Sequence, residues 1–289
     1  MTPKQQMQKT DRSAATVIYR NGSVYSPVDP FATALLVQDG RIRWVGQEAG
    51  ADSLTDAYVH TVDLDGLLLT PSFAAAGSVP EEEQGWLRLR RAGVHAVLDP
   101  QRGWVDVPGQ RSPLPAHVRT LGPQGPLDPT QAERAEGDPL LVLASEDAPE
   151  PRGWIDVARA GLSAGRPLGV AGALEPGTAP QPWRLTLAAL RREEQGPGIS
   201  TRGCFGLQTR GVRRVCGVGG PFGGQLVPEA PADLIGWRTE ALMVQTADER
   251  IAAWSTDPRA RTPLLPALGP DVPLPQARLS LLGASELTW

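Results

Sequence analysis

Cysteine, histidine and methionine are scarce: two, three and three in 289 residues. Cys204 and Cys216 cannot form a disulfide scaffold, and they lack the paired spacing of a zinc motif. On one continuous helix, twelve residues would separate them by ~18 Å, beyond disulfide reach. Reduced thiols and a cytoplasmic setting are expected. No run approaches the ~20 apolar residues a membrane span needs. The first residues lack the apolar core of a signal peptide, so 1–15 reads as a disordered lead-in. No basic run is dense enough to track phosphates. Lys plus Arg total 28 against 32 Asp plus Glu, a net charge of −4, which argues against a nucleic-acid partner.

What is abundant points to turns and to a sizeable core. Gly 32 and Pro 29 make up about a fifth of the chain, short of a disordered composition. The length allows one or two domains. Of eight tryptophans, Trp86, Trp154 and Trp183 fall in helical stretches and are expected to fill core or interface.

The first quarter is β-patterned. Residues 16–20 form a β-branched strand ended by the turn pair Asn21-Gly22. Residues 34–46 read as a hairpin about Asp39-Gly40, with Leu36, Ile42 and Trp44 expected on one buried face. Further strand is expected over 59–69, broken at Asp65-Gly66. After Pro80 the period changes. Residues 81–91 run from acidic to basic, as a helix dipole favours, and 92–98 is an apolar strand. A helix followed by such a strand is one step of a parallel α/β sheet. Later strands are expected at 117–121, 139–144 and 166–172. Helices are expected over 154–164, with Ile155, Val157, Ala158 and Leu162 on one side, over 182–192, and over 200–214 with Ser200 as N-cap.

Several constellations invite a chemical reading, and each has a plainer one. Gly161-Leu-Ser163-Ala-Gly165 matches the nucleophile-elbow pattern. That elbow needs a strand before it and a helix after it; here the order is reversed, and Gly165 reads as a helix stop. The Gly-rich stretch 216–224 follows a helix and lacks the Lys-Ser or Lys-Thr of a phosphate loop. Asp99, Asp106, Glu146 and Asp147 fall near strand ends and are expected to be solvated. His60, His95 and His117 are expected in packing or surface roles.

One stretch gives the chain a lineage. Residues 63–80, with Asp63, Leu64, Asp65, Gly66, Thr70, Pro71 and Phe73, resemble the amidohydrolase superfamily. There, a β-domain strand feeds the first strand of a metal-bearing barrel. Residues 160–215 resemble the last barrel units of that family, and 224–237 its return to the β-domain. The likeness covers roughly 16–98 and 154–289.

The resemblance implies an α/β plus β fold. It consists of an incomplete TIM-barrel-like α/β domain over 74–223 and a β-sandwich formed by 16–73 and 224–289. A full barrel takes ~200–250 residues, so the middle has room for five or six strands. The resemblance also implies where metal ligands would stand, and there the chain departs from it. The first-strand His-x-His positions hold Gly77 and Val79, and the Asp before them is Ala75. The last-strand Asp is Ala173, with Glu175 two residues on. The expectation is a catalytically inactive relative of metal-dependent C–N hydrolases, with no catalytic, cofactor-binding or metal-binding residues and no cofactor. It would be retained for a small-molecule ligand or for assembly, as a homo-oligomer or with a full-length relative. A hydrolase acting on C–N bonds with a relocated site is one alternative, and a small-molecule binding protein is the other.

Overall fold

The computed structural model describes residues 16–56, 58–106, 111–112, 119–121, 138–145, 153–174, 179–190, 198–243, 263–283 and 285–287. In chain order the strands begin with β1 (Thr16–Arg20), β2 (Ser23–Val24), β3 (Ala34–Gln38) and β4 (Arg41–Gly46), followed by helix α1 (Glu48–Leu54). Then come β5 (Val59–Asp63), β6 (Leu68–Pro71), β7 (Phe73–Ala76), helix α2 (Glu83–Arg91), β8 (Val94–Asp99) and β9 (Gly103–Asp106). β10 (Arg111–Ser112), β11 (Arg119–Leu121) and β12 (Leu140–Ala144) lead to helix α3 (Gly153–Ser163), β13 (Leu168–Ala173) and helix α4 (Pro182–Ala189). A helical stretch follows: α5 (Thr201–Gly206), a π-turn (Leu207–Gly211) and α6 (Val212–Cys216). The chain closes with β14 (Asp233–Arg238), β15 (Leu242–Met243), β16 (Leu265–Pro266), β17 (Gln276–Leu282) and β18 (Ser285–Glu286).

Two sheets, ordered β4-β3-β1-β5 and β18-β17-β14-β6-β2, pack face to face. Val17, Leu35 and Ile42 of the first meet Leu69, Leu234 and Leu281 of the second in one core. The turn at Asp65-Gly66, with φ of 48° and 74°, carries the chain from β5 in one sheet to β6 in the other. Positive φ at both residues suits Asp followed by Gly. The 34–46 hairpin forms as expected, but not its single buried face. A register shift between Leu36 and Val37 puts Leu36 and Trp44 in a small outer cluster beside Ala51 and turns Ile42 into the sandwich core.

The third sheet runs β10-β9-β8-β7-β13-β12-β11. β8, β7, β13, β12 and β11 are parallel; β9 and β10 fold back as an antiparallel hairpin. β13 lies beside β7, so the last parallel strand neighbours the first, as at the seam where an eight-stranded barrel closes. Among the described residues the strand order is open, with β10 and β11 at its ends. Seven strands exceed the expected five or six, because the antiparallel hairpin has no counterpart in the α-then-β pattern used for the count.

Alternation along the parallel strands gives the sheet two apolar faces. Leu140, Val142 and Val170 pack with α3, α4 and α5. Leu141, Ala171, Ala74 and Ala76 pack with Val212, Val215 and Cys216 of α6. Close approach of α6 needs glycine: a Cβ on Gly169 would lie 2.6 Å from Val212 Cα. Ser200 caps α5, its hydroxyl accepting from the Gly203 N–H at 3.1 Å. Trp154 and Trp183 are core residues, as expected. Leu162 is not: it is 45% exposed, because the α3 stripe follows Trp154, Ile155, Val157, Ala158 and Gly161 instead.

Candidate functional site

Barrel chemistry occupies the C-terminal ends of parallel strands, so the end of β7 comes first. Gly77 donates its N–H to the Leu98 carbonyl at 2.9 Å, and the Leu174 N–H reaches the Ala76 carbonyl at 2.7 Å. This lacing leaves no space beside Gly77: a Cβ there would lie 2.7 Å from Leu174 Cβ. Val79 and Leu174 both pack against the apolar cluster that holds Phe73, Trp183 and Trp237. Ala173 ends β13 beside Ala76. Glu175, His117, Glu146 and Asp147 lie outside the described residues.

Asp99 is not solvated as expected; it is 7% exposed. Its carboxylate accepts the N–H groups of Val79, Gln101 and Arg102 at 3.1, 2.8 and 2.9 Å. Burial alone would raise its pKa, but these three backbone donors hold it below the usual carboxylate range. It is a turn-forming anion with three backbone donors on its carboxylate.

The opposite, N-terminal end of the strands holds a polar cluster that sequence reading missed. His95 enters from β8, Asp233 from the start of β14, Ser280 from β17, Arg213 from α6 and Ser72 from just before β7. His95 Nδ1 lies 2.6 Å from Asp233 Oδ1, and His95 Nε2 lies 2.7 Å from Ser280 Oγ. Arg213 donates to Asp233 Oδ2 at 2.5 Å, to Ser72 Oγ at 2.7 Å and to the Ser72 carbonyl at 2.9 Å. Burial alone would raise the Asp233 pKa, but the Arg213 charge and the His95 hydrogen bond hold it far below the ordinary range.

Ser280, His95 and Asp233 thus have the connectivity of a nucleophilic triad. Two observations argue against that use. Ser280 and His95 are each 1% exposed, so no substrate reaches Oγ. Ser280 also sits mid-strand, paired with Ile235, where a nucleophile would need an exposed strained turn. The cluster joins the sandwich to the parallel sheet, and its members lie too far apart in sequence to form a local motif.

Arg213 also lies over the Trp104 ring, 5.5 Å from its centroid, and the Trp104 indole N–H donates to Asp106. Asp106, too, was expected in solvent. Burial pushes its pKa up to about 6, the indole hydrogen bond opposes this, and the Asp233 charge adds to it. The folded chain therefore holds this proton more tightly than the unfolded chain. Stability from this group is full near pH 4 and falls as pH rises through about 6. Asp106→Asn, which keeps the acceptor, is expected to stabilise the protein by about 2 kcal/mol at pH 7.5. The gain should vanish toward pH 4, as urea midpoints at the two pH values will show.

His60 is exposed on β5. Cys204 and Cys216 are buried, and burial pushes each thiol up to about 12, which leaves neither reactive. Gly165 ends α3 with φ of 68°, so Ser163 sits in a helix terminus and not an elbow. A cavity of about 170 Å³ opens at the ends of β12 and β13, where Ser145 and Ala173 face Gln181, Arg184 and Gln208. No helix among the described residues is long and apolar enough to cross a membrane.

These features can be set beside known proteins. The structure superposes on an enamidase with a TM-score of 0.53 at 14% identity, covering 94% of this chain and 95% of that one. An amidohydrolase from Thermotoga maritima gives 0.53 at 13%, covering 94% and 99%. An atrazine chlorohydrolase from Arthrobacter aurescens TC1, solved with zinc, gives 0.51 at 14%, covering 94% and 95%. The fold is similar to that of these solved amidohydrolases. No protein-family model matches the chain. Among curated proteins, the exoenzymes regulatory protein AepA of Pectobacterium carotovorum is 29% identical over 168 residues, 52% of this chain. The match spans 34% of that protein's length.

The amidohydrolase fold raises the question of a divalent ion. The residues at its expected place do not fit one. Gly77 offers no donor and has no room for one, Val79 and Ala173 end in methyl groups, and Leu174 fills the space beside Gly77. Among the described residues no three of His, Cys, Asp and Glu come close enough to hold a metal. Asp99, whose carboxylate accepts the Val79 N–H, is already engaged by three backbone N–H groups.

Proposed function

We propose that this chain is a non-catalytic relative of the metal-dependent C–N hydrolases, retained for binding or assembly. The observation that carries this reading is the Gly77–Leu174 contact. Replacement of a ligand by a small residue would leave a hole, but this position is closed by packing. A metal hydroxide is the nucleophile in such chemistry, and the described residues offer nothing to generate one. Assembly would involve a second copy or a longer relative. The curated relative's name denotes regulation, which accords with a non-enzymatic role. The test is metal analysis of protein purified with zinc, manganese or iron, with amide, carbamate and cyclic-amide substrates assayed in parallel. Substoichiometric metal and no turnover are expected. One ion per chain, with turnover lost on chelation, overturns the proposal.

One observation favours binding over assembly: the cavity at the ends of β12 and β13. Its Gln and Arg side chains suit a small polar ligand better than an apolar one.

A further inference from the structure

We propose that a second, separate groove binds a small planar organic anion, a carboxylate on an aromatic or similarly flat frame. The groove has a volume of about 260 Å³ and lies between α2, the start of α4 and the residues leading into β17. That is below the span of drug-sized ligand pockets and suits a single ring with one acidic substituent.

Charge is the first argument. Arg88 and Arg91 line the groove and, at i and i+3 on α2, lie on neighbouring positions of one helix side. Their neighbour Arg90 pairs with Glu83 at 2.5 Å. Arg88 and Arg91 make no side-chain ion pair or hydrogen bond among the described residues. Two unmatched guanidiniums beside a concave surface are poised for a carboxylate, which each can grip with two N–H groups.

The rest of the wall supplies the second argument. Pro180, Pro182, Leu274 and Pro275, beside the buried Trp183 and Trp237, make it mostly apolar, with Gln181 adding one polar side chain, so a fully hydrated anion such as phosphate would gain from the arginines alone. The buried indole N–H of Trp183 has no acceptor, as is also true of Trp154. A buried donor left unmade costs about 1–3 kcal/mol. Trp237, by contrast, donates its indole N–H to Thr70 at 2.8 Å. An occupant's ring would lie against this apolar wall, with its carboxylate on the two arginines.

This proposal does not depend on the absence of a metal site; it stands or falls on α2 and α4. The experiment titrates the full chain with benzoate, indole-3-acetate and, separately, inorganic phosphate, following tryptophan fluorescence and heat of binding. Saturable binding of one aromatic carboxylate is expected, with phosphate weaker by about tenfold or more. Arg88→Ala/Arg91→Ala is expected to weaken the carboxylate by about tenfold or more. Both side chains are exposed, so the variant should keep its unfolding midpoint. Arg88→Lys/Arg91→Lys, which keeps the charge but not the two-pronged grip, should fall between. No saturation by either carboxylate, equal binding by phosphate, or undiminished binding in the alanine variant overturns the proposal. Metal content and hydrolysis are read on separate samples, so this result and the test of catalysis fail independently.

Discussion

Asp233→Ala is expected to destabilise the fold by about 3–5 kcal/mol, the cost of breaking a buried ion pair by removing one partner. Asp233 is the shared acceptor for Arg213 and His95, so its loss strands a guanidinium that is 3% exposed and an imidazole that is 1% exposed. Asp233→Asn keeps the shape but not the charge and should recover only part of the loss. Asp233→Leu/Arg213→Met removes both charges together and should come out closer to wild type than Asp233→Ala alone. Urea unfolding at pH 7 reads all three. If Asp233→Ala shifts the midpoint by less than the equivalent of about 1 kcal/mol, the cluster is not what joins the two layers.

Gly77→His/Val79→His restores the letters of a first-strand metal motif without restoring its space. The imidazole at 77 must displace Leu174, whose Cβ would lie 2.7 Å from the new Cβ. The cost is expected to be about 2–3 kcal/mol, the upper part of the range for overpacking. No stoichiometric zinc should be bound. Adding Leu174→Gly should return little of the stability, because Gly77 keeps a φ of 155° that a side chain rarely adopts and Leu174 packs on the apolar cluster, and it should still yield no hydrolysis, because Ala173 supplies no carboxylate. Thermal melts and metal analysis of the three proteins decide this. One tightly held zinc in the double variant would show that the packing yields easily and that the site has only lost its ligands.

Much of the β-sandwich was legible in the chain because its signals are local. Asp39-Gly40 and Asp65-Gly66 mark their turns by residue type alone, and both prove to carry positive φ. The lineage was legible from framing residues such as Thr70, Pro71 and Phe73. The face of Ile42 was not, because one bulge reverses the alternation and leaves no mark on composition. Asp99 and Asp106 were misjudged for a related reason. Burial of an acid depends on what the rest of the fold brings against it, and here the donors are backbone amides and an indole. The His95–Asp233–Arg213 cluster was illegible because its members come from β8, β14 and α6, each an ordinary position within its own element.

The sandwich also has a consequence for how the chain acquires its structure. Thr70 receives its hydrogen bond from Trp237, 167 positions later, and β6 pairs along its length with β14. During synthesis the β6 edge that faces β14 must wait, with its amides unmatched, until β14 has left the ribosome. Contacts of such long sequence separation close slowly, and a waiting apolar strand edge is open to intermolecular pairing. Yield of folded protein should therefore depend more on chaperone supply and growth temperature than on the stability of the finished molecule.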